Sequence, residues 1–300
     1  MPGSFICSIG TRGLCHPMLV QKEIDRMQTI LSDFSEPILV RAIKANWADY
    51  YRILGRVPGA ELVVGPLMTW FLSGVPDPFM NVVLRTRPMS ERAGEIIDET
   101  LAHFRTQNVK RLSWWAESNY RGTDLDRQLV DHGLIFKEGG TGMAADLMGL
   151  PQDLPNPAGL TIERVEDERS LLEWIHLASV GFGIPEDGER RFFELLVALG
   201  FERPVRSYLG VVNGMPVATS QLFLSAGVAG IYNVTCLPEA RRRGIGAALT
   251  LVPLLEARRL GYRISILQAS SLGYPVYRRL GFQDYGKLNF YLWENETMLT

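Results

Sequence analysis

The segment from Cys236 to Leu249, CLPEARRRGIGAAL, brings positive charge and bare backbone together at one point of the chain. Its arginines, Arg241 to Arg243, run directly into Gly244 and Gly246. From Ile245 onward the apolar residues recur at helical spacing, so the glycines are expected to stand where a helix begins. The first N–H groups of a helix have no intrahelical partner, and the helix dipole favours an anion there. The segment therefore predicts a turn that binds a phosphate-bearing ligand.

Each residue type in this turn has a physical reason to contact phosphate. Glycines have no Cβ, so a phosphate oxygen can approach the backbone N–H groups closely. Arginines add long-range attraction and can make bidentate contacts with phosphate. The turn lacks the GKS or GKT ending of a Walker A loop, and it is not a GxGxxG dinucleotide fingerprint. The alternative interpretation is a glycine pair that merely opens a helix beside surface arginines.

The flanking segments predict the elements that hold this turn. The stretch AGIYNVTC is rich in β-branched and aromatic residues, which favours a strand, and Pro238 ends it. A helix is predicted from about Arg243 to Leu260. Pro253 lies inside it and costs roughly 3 kcal/mol, but apolar spacing resumes afterwards, so we expect a kink rather than an end. Gly261 is expected to cap the helix.

A proline-rich segment divides the chain close to its midpoint. LPQDLPNPAG, from Leu150 to Gly159, predicts a linker at 151–158 between domains at 1–150 and 159–300. The second half alternates strands and helices, and the first half is a fainter copy of it. We therefore expect an α/β protein with two similar domains in tandem, each a mixed, mostly antiparallel sheet flanked by helices.

The order of elements and motifs in the second half resembles the GCN5-related N-acetyltransferase (GNAT) superfamily over roughly residues 160–293. The resemblance lies in the pattern R-x-x-G-x-G/A beginning at Arg241 and in Y-x-x-x-GF beginning at Tyr277. It implies that backbone amides of the turn hold the pyrophosphate of an acyl-CoA, most simply acetyl-CoA. It also implies that Val234 and Cys236 pair through their backbone with the pantetheine arm. The predicted cofactor-binding residues are Val234, Thr235, Cys236, Arg241, Arg242, Arg243, Gly244, Ile245, Gly246 and Ala247.

The same resemblance places Tyr277 at the position of the family's general acid. Transfer of an acyl group to an amine expels a thiolate, and a phenol with a pKa of about 10 is suited to protonate it. Tyr274, one turn earlier, is the competing candidate. A packed aromatic side chain without a catalytic role is the other interpretation of Tyr277.

The sequence does not single out a general base. The strand before the turn offers Tyr232 and Asn233 but no acid. The resemblance places four further candidates over the acceptor side, and each is better explained as a solvated or packed side chain: Glu173, His176, Glu186 and Asp187. A proton relayed by water, or an amine that arrives neutral, needs no such residue.

The first half lacks the features of the turn. Its corresponding segment, RPMSERAGEII, has no glycine pair, and Glu91 and Glu95 fall in the first helical turns, where carboxylates would repel a pyrophosphate. We predict the acyltransferase shape there without a cofactor site. Trp114 and Trp115 are adjacent in a predicted strand, so they must point to opposite faces. One can fill the core, and the other needs a second surface, either the neighbouring domain or a substrate cleft.

Composition limits the class of protein. A formal net charge of −2 argues against a general nucleic-acid binder. The cysteines, Cys7, Cys15 and Cys236, are odd in number and lack metal-binding spacing, which predicts reduced thiols, a cytoplasmic location and no metal. His16 beside Cys15 has no second ligand pair. No apolar run approaches the roughly 20 residues that span a bilayer, and the N-terminus does not resemble a signal peptide.

The resemblance to the GNAT superfamily implies an acyl-CoA-dependent N-acyltransferase, and we expect it to transfer acetyl from acetyl-CoA to a primary amine of a small molecule. The expected partners are acetyl-CoA and the amine, without nucleic acid or membrane, and the expected state is a monomer or homodimer. Two alternatives stay open: an acetyltransferase of protein lysines or N-termini, and a regulator that binds acyl-CoA without turnover.

Overall fold

The computed structural model describes residues 29–65, 68–86, 93–115, 124–151, 157–202 and 204–295. Its helices are α1 (Glu36–Leu54), α2 (Ala93–Thr106), α3 (Asp124–Asp131), α4 (Glu168–Phe182), α5 (Glu186–Leu199), α6 (Ile245–Arg259) and α7 (Tyr274–Arg279). Its strands are β1 (Glu61–Val64), β2 (Met68–Leu72), β3 (Asn81–Thr86), β4 (Arg111–Trp115), β5 (Ile135–Lys137), β6 (Thr141–Asp146), β7 (Leu160–Arg164), β8 (Val205–Val212), β9 (Met215–Ser225), β10 (Val228–Cys236), β11 (Ile264–Ala269), β12 (Gln283–Lys287) and β13 (Phe290–Glu294). Short 3-10 turns follow β6 and β10.

The described strands form two sheets of similar design. The first has the order β1-β2-β3-β4-β13-β5, and the second has the order β12-β6-β11-β10-β9-β8-β7. In each sheet one central pair is parallel, β3 with β4 and β10 with β11, and the other pairs are antiparallel. The predicted α/β class, with two mixed and mostly antiparallel sheets in tandem, is confirmed.

The two sheets exchange a strand between the two halves of the chain. β6, from the first half, lies between β11 and β12 of the second sheet. β13, from the end of the chain, lies between β4 and β5 of the first sheet. Each sheet therefore contains one strand from the other side of the predicted linker at 151–158. The sequence shows that each half ends in two strands, but it does not show with which sheet the second strand pairs.

The two exchanging connections cross in direct contact. The N–H of Leu288 donates to the carbonyl oxygen of Gly140 at 2.9 Å, and the N–H of Gly139 donates to Oδ1 of Asn289 at 3.3 Å. A Cβ atom on Gly139 would lie 1.5 Å from the carbonyl oxygen of Leu288. Only glycine fits at that point, because the neighbouring atom belongs to the backbone and not to a flexible side chain.

Helix α1 joins the two sheets. Its N-terminal part packs Leu39 and Ile43 against strands of the second sheet, including Ile264 and Ile266. Its C-terminal part contributes Tyr50, Tyr51 and Leu54 to the core that α1 shares with the first sheet and with α4 and α5. The burial of both ends makes α1 a common wall of the two halves.

The second sheet carries helices on both faces. On one face α4 and α5 pack beside α1, and α4 begins with a capping box in which Asp167 and Ser170 exchange hydrogen bonds. The other face is covered by α6, whose Leu249 and Leu254 are fully buried. The helix does not end at Pro253, and Gly261, with φ of 92°, follows the helix end.

In the first half, β3 and α2 flank the segment that corresponds to the turn before α6. α2 carries Glu95 in its first turn, whereas residues 87–92, including Glu91, lie outside the described residues. Trp114 is fully buried, and Trp115 points to the other face of the sheet. The centroid of the Trp115 ring lies 4.5 Å from that of Trp47 and 5.0 Å from that of Phe290. The second surface of Trp115 is thus α1 together with the exchanged strand β13.

Candidate functional site

Strand β10 separates from β11 halfway along its length. The parallel pairing runs from Ala229 with Ser265 to Ile231 with Leu267 and extends no further. On the opposite edge, β10 stays paired with β9 as far as Cys236. The segment after Ile231 therefore has one edge in the sheet and one edge facing a gap between β10 and β11.

A β-bulge lies where this gap opens. Tyr232 pairs with Gln221 and Thr235 pairs with Thr219, so β10 has one residue more than β9 between these pairs. Asn233 in the bulge has φ of 51°, a left-handed conformation that asparagine tolerates better than most residues. Its carbonyl oxygen accepts a hydrogen bond of 2.7 Å from Oγ1 of Thr219, which stabilises the bulge.

The register after the bulge decides which backbone groups face the gap. The N–H of Leu237 donates to the carbonyl oxygen of Val217 at 2.9 Å, so it points toward β9. Because backbone groups alternate along a strand, those of Thr235 also point toward β9, and those of Val234 and Cys236 point toward the gap. The carbonyl oxygen of Cys236 accepts a hydrogen bond of 3.0 Å from Nε of Arg241.

The segment between β10 and α6 presents N–H groups that the protein itself leaves unused. Arg242 and Gly244 have positive φ values of 61° and 82°, and Gly244 is the N-cap residue of α6. Among the described residues, none accepts a hydrogen bond from the N–H groups of residues 242–247. Several unpaired donors at a helix N-terminus, with no acidic residue in the first turn, form a site that attracts anions.

The first turn of α6 contacts the end of β10. A Cβ atom on Gly246 would lie 3.7 Å from Sγ of Cys236, so this thiol lies under the turn at 241–247. Burial raises the pKa of the Cys236 thiol to about 11, and Arg241 opposes the shift only in part. The thiol is therefore neutral near pH 7 and contributes shape rather than charge.

Tyr277 lies on the same side of the sheet. Its side chain is 8% exposed, and its ring packs edge-on against Phe282 with centroids 6.0 Å apart. Burial raises the pKa of Tyr277 well above its ordinary value, and the nearby thiol of Cys236 raises it further. In the part of the chain that the structure describes, its hydroxyl has no hydrogen-bond partner. It is a protonated phenol able to donate.

Tyr274 has a different environment. Its hydroxyl donates to Oδ2 of Asp284 at 2.8 Å on the surface, and this hydrogen bond raises the pKa of Tyr274. Because its proton is already engaged by a carboxylate, Tyr274 is less suited than Tyr277 to protonate a leaving group.

The four base candidates lie on exposed surfaces of α4 and α5. Nδ1 of His176 lies 3.2 Å from Oε1 of Glu189, and Oε1 of Glu173 lies 3.8 Å from Nε of Arg169. Glu186 and Asp187 occupy the first turn of α5, where carboxylates stabilise the helix dipole. These contacts explain the residues without a catalytic role.

One predicted cofactor residue is turned away from the gap. Thr235 pairs with Thr219 of β9, and its side chain lies against α4, where a Cβ on Gly181 would come within 2.1 Å of its Oγ1. The structure thus brings together the gap-facing backbone of Val234 and Cys236, the turn at 241–247 and Tyr277.

The site also contains residues that the sequence did not indicate. Oη of Tyr50, on α1 of the first half, donates to Oε1 of Gln221 at 2.7 Å. Nδ2 of Asn233 donates to the same oxygen at 3.0 Å and lies 3.4 Å from the Tyr50 hydroxyl. Tyr50 and Gln221 lie far apart in the sequence, and polar side chains within otherwise apolar segments are the signal that points to such a buried hydrogen bond.

Metal and membrane features are absent from the described ranges. Within these ranges, no three or more His, Cys, Asp or Glu residues cluster as metal ligands would, and no helix has the length and apolar character that crossing a membrane requires. Cys236 is a free thiol there, whereas Cys7, Cys15 and His16 lie outside the described residues.

Comparisons with known proteins place this geometry in context. No protein-family model matches the sequence, and no curated protein matches it. The chain is similar in structure to a GCN5-related N-acetyltransferase from Kribbella flavida, with a TM-score of 0.60, 18% identity, and coverage of 85% of this chain and 97% of that one. A GCN5-related N-acetyltransferase from Sphaerobacter thermophilus gives a TM-score of 0.56 at 19% identity, with coverage of 86% and 92%.

A third similar structure has two such domains. It is a tandem GNAT protein from the clavulanic acid biosynthesis pathway, with a TM-score of 0.54, 15% identity, and coverage of 88% of this chain and 97% of that one. These similarities extend over both sheets, although sequence identity is low. The chain therefore has the two-domain fold of the tandem GCN5-related N-acetyltransferases.

Proposed function

We propose that the protein is an acyl-CoA-dependent N-acyltransferase whose second half transfers acetyl from acetyl-CoA to a primary amine. The observation that carries this proposal is the joint placement of the unpaired N–H groups at 242–247 and the open edge of β10. The unpaired N–H groups can donate hydrogen bonds to a diphosphate, and the open strand edge can pair with an extended arm that carries amides.

The coenzyme would bind in two segments. Its diphosphate would accept hydrogen bonds from the turn, with Arg242 and Arg243 adding positive charge. Its pantetheine arm would pair with the backbone of Val234 and Cys236 as an added strand. The carbonyl of Cys236 already accepts from Arg241, so Val234 would supply the more available pairing groups.

The chemistry needs few groups from the protein. The amine nitrogen attacks the thioester carbonyl, the carbon–sulfur bond breaks, and the departing thiolate takes a proton from Tyr277. The amine loses its proton to water, because β10 offers no acid and the carboxylates of α4 and α5 lie on the surface. Positioning of thioester and amine would supply most of the acceleration.

The unfilled role of the general base favours one rival, a protein that binds acyl-CoA without turnover. Calorimetry with acetyl-CoA and then with CoA tests the binding site. Release of free thiol in the presence of a panel of primary amines, with mass spectrometry of the products, tests turnover. Binding with an acetylated product supports the enzyme. Binding without thiol release from any amine supports the regulator, and no binding refutes both.

A further inference from the structure

The gap between β10 and β11 carries polar groups on the face covered by α1. The bulge places Tyr232 and Asn233 on this same face, because the extra residue breaks the alternation of side chains. Tyr232 stacks on Tyr50 of α1, with ring centroids 5.1 Å apart, and its hydroxyl donates to Oδ1 of Asn46 at 2.7 Å. This corner of the site is therefore built from both halves of the chain.

Asn233 has one amide atom engaged and one available. Its Nδ2 donates to Oε1 of Gln221, and the reverse orientation of the amide would set two oxygen acceptors against each other. Its Oδ1 accepts no hydrogen bond from any group in the described ranges. The side chain thus presents a fixed acceptor where the gap opens, and the hydroxyl of Tyr50 holds it there.

Gln268 lies on the opposite edge of the gap. It directly follows Leu267, the last residue of β11 that pairs with β10. Ile264 and Ile266 of the same strand pack against α1, so alternation places Gln268 on that face as well. Its amide interacts with the Tyr232 hydroxyl, which opposes part of the rise in the pKa of that phenol, and among the described groups its buried Nε2 has no partner at full hydrogen-bond geometry. A buried donor without a partner is costly, which points to a ligand that satisfies it.

The carboxylate that α1 presents toward Tyr232 is already engaged by other groups. The nearest carboxylate of α1, Asp49, is engaged by the hydroxyl of Ser225 at 2.7 Å and by Arg52. Tyr50 and Tyr232 are held protonated, because burial raises the pKa of each well above its ordinary value. Among the residues that the structure describes, a polycationic amine would meet no unengaged carboxylate of α1 here.

We propose that Asn233 and Gln268 bind the acceptor, with Oδ1 of Asn233 accepting from its amine N–H and Nε2 of Gln268 donating to an adjacent oxygen. The acceptor is then a primary amine with a neighbouring hydroxyl or carbonyl oxygen, such as an amino alcohol, amino sugar or amino amide. Tyr50 is a positioning residue that gives the first half a part in the site. This inference rests on the proposed function and specifies its acceptor.

The direct test follows the side-chain amide signals of the protein by 15N NMR with saturating CoA. The signals are assigned with Asn233→Asp and Gln268→Glu, and the probes are D-glucosamine, glycinamide and, as the amine without oxygen, propylamine. We expect glucosamine or glycinamide to shift both signals and propylamine to shift at most that of Asn233. The proposal is overturned if none of the oxygen-bearing amines moves either signal, or if propylamine moves both equally.

Tyr50→Phe tests the positioning role and keeps the ring that stacks on Tyr232. Loss of one hydrogen bond should raise the KM for the amine by about three- to tenfold, with kcat and the Kd for acetyl-CoA unchanged. Tyr51→Phe is the matched control, since its hydroxyl donates to the carbonyl of Phe79 at 2.8 Å and not to Gln221. Equal effects of the two variants would remove Tyr50 from the site.

Failure of this inference differs from failure of the proposed function. If calorimetry shows no binding of CoA, the proposed function fails and the acceptor site falls with it. If CoA binds and amines are acetylated while the signals of Asn233 and Gln268 stay still, the acceptor binds elsewhere and only the inference fails.

Discussion

The backbone N–H of Leu288 donates to the carbonyl oxygen of Gly140 at 2.9 Å, at the point where the chain passes between the two sheets in both directions. One connection carries the chain from β5 to β6 and the other from β12 to β13. Each sheet includes one strand from the other half of the chain, so neither sheet is formed by one half alone. The site described above depends on this arrangement, because the exchange and α1 together hold the first half against β10.

The crossing should be sensitive to one methyl group. In Gly139→Ala the new Cβ would meet the carbonyl oxygen of Leu288 at 1.5 Å, and backbone would have to move. We expect a loss of about 3 kcal/mol in the free energy of unfolding, measured with urea. Gly149→Ala is the control, because nothing lies within 4 Å of a Cβ added there and φ is not positive; it should change stability by about 0.5 kcal/mol or less. Equal midpoints for the two variants would contradict the crossing geometry.

The cofactor turn should not accept a carboxylate. Gly244→Glu places a negative charge beside the unpaired N–H groups and forces a side chain onto a φ of 82°. Binding of acetyl-CoA by calorimetry should weaken by at least about 10²-fold, because the charge repels the diphosphate and the turn is distorted.

Gly214→Glu separates the effect of strain from that of charge at the turn. Gly214 has a similar φ of 79°, lies in the loop between β8 and β9, and has no atoms within 4 Å of an added Cβ. The Gly214→Glu variant should lose about as much stability as Gly244→Glu and keep the affinity of the wild type for acetyl-CoA. Retained affinity in Gly244→Glu would show that the diphosphate binds elsewhere.

Removal of the Tyr277 hydroxyl should affect chemistry and spare binding. In Tyr277→Phe the departing thiolate has no proton donor from the protein, so kcat should fall by about 10²-fold while the Kd for acetyl-CoA stays unchanged. Tyr274→Phe removes a surface hydrogen bond to Asp284 and should leave kcat within about twofold of the wild type. The role of Tyr277 is refuted if thiol release is as fast in its variant as in that of Tyr274.

The Cys236 thiol should react slowly and in a pH-dependent way. Its pKa is raised from about 9 to about 11 by burial, so the thiolate is scarce at pH 8. Alkylation by iodoacetamide, followed on the Cys236 peptide by mass spectrometry, should be about 10²-fold slower in the folded protein than in urea. The rate should rise about tenfold per pH unit up to the raised pKa, and CoA should lower it further.

The raised pKa of the Cys236 thiol should make the folded protein less stable at high pH. A raised pKa in the folded state means that the stabilising contribution of the neutral thiol is present below pH 9 and is lost as the pH rises through 11. Cys236→Ser should reduce this part of the alkaline loss of stability. Rapid alkylation of the folded protein at pH 8 would show that the thiol is not buried under the turn.

The local signals of the sequence determined the elements and the position of the turn between β10 and α6. Pro238 ends β10, Gly244 supplies the positive φ before α6, and the apolar spacing after Ile245 makes the helix that docks on the sheet. These features depend on residues that are neighbours along the chain, so propensity and periodicity are enough to predict them.

Tertiary structure alone decided the exchange of strands and the contact of Tyr50 with the bulge of β10. β6 and β13 each pair antiparallel with both of their neighbours, so the direction of pairing does not by itself select the sheet that each strand joins. Tyr50 lies 183 residues from Asn233, and the two meet only because α1 is buried between the halves. Contacts of such separation arise from the packing of whole elements, which a pattern within one segment does not contain.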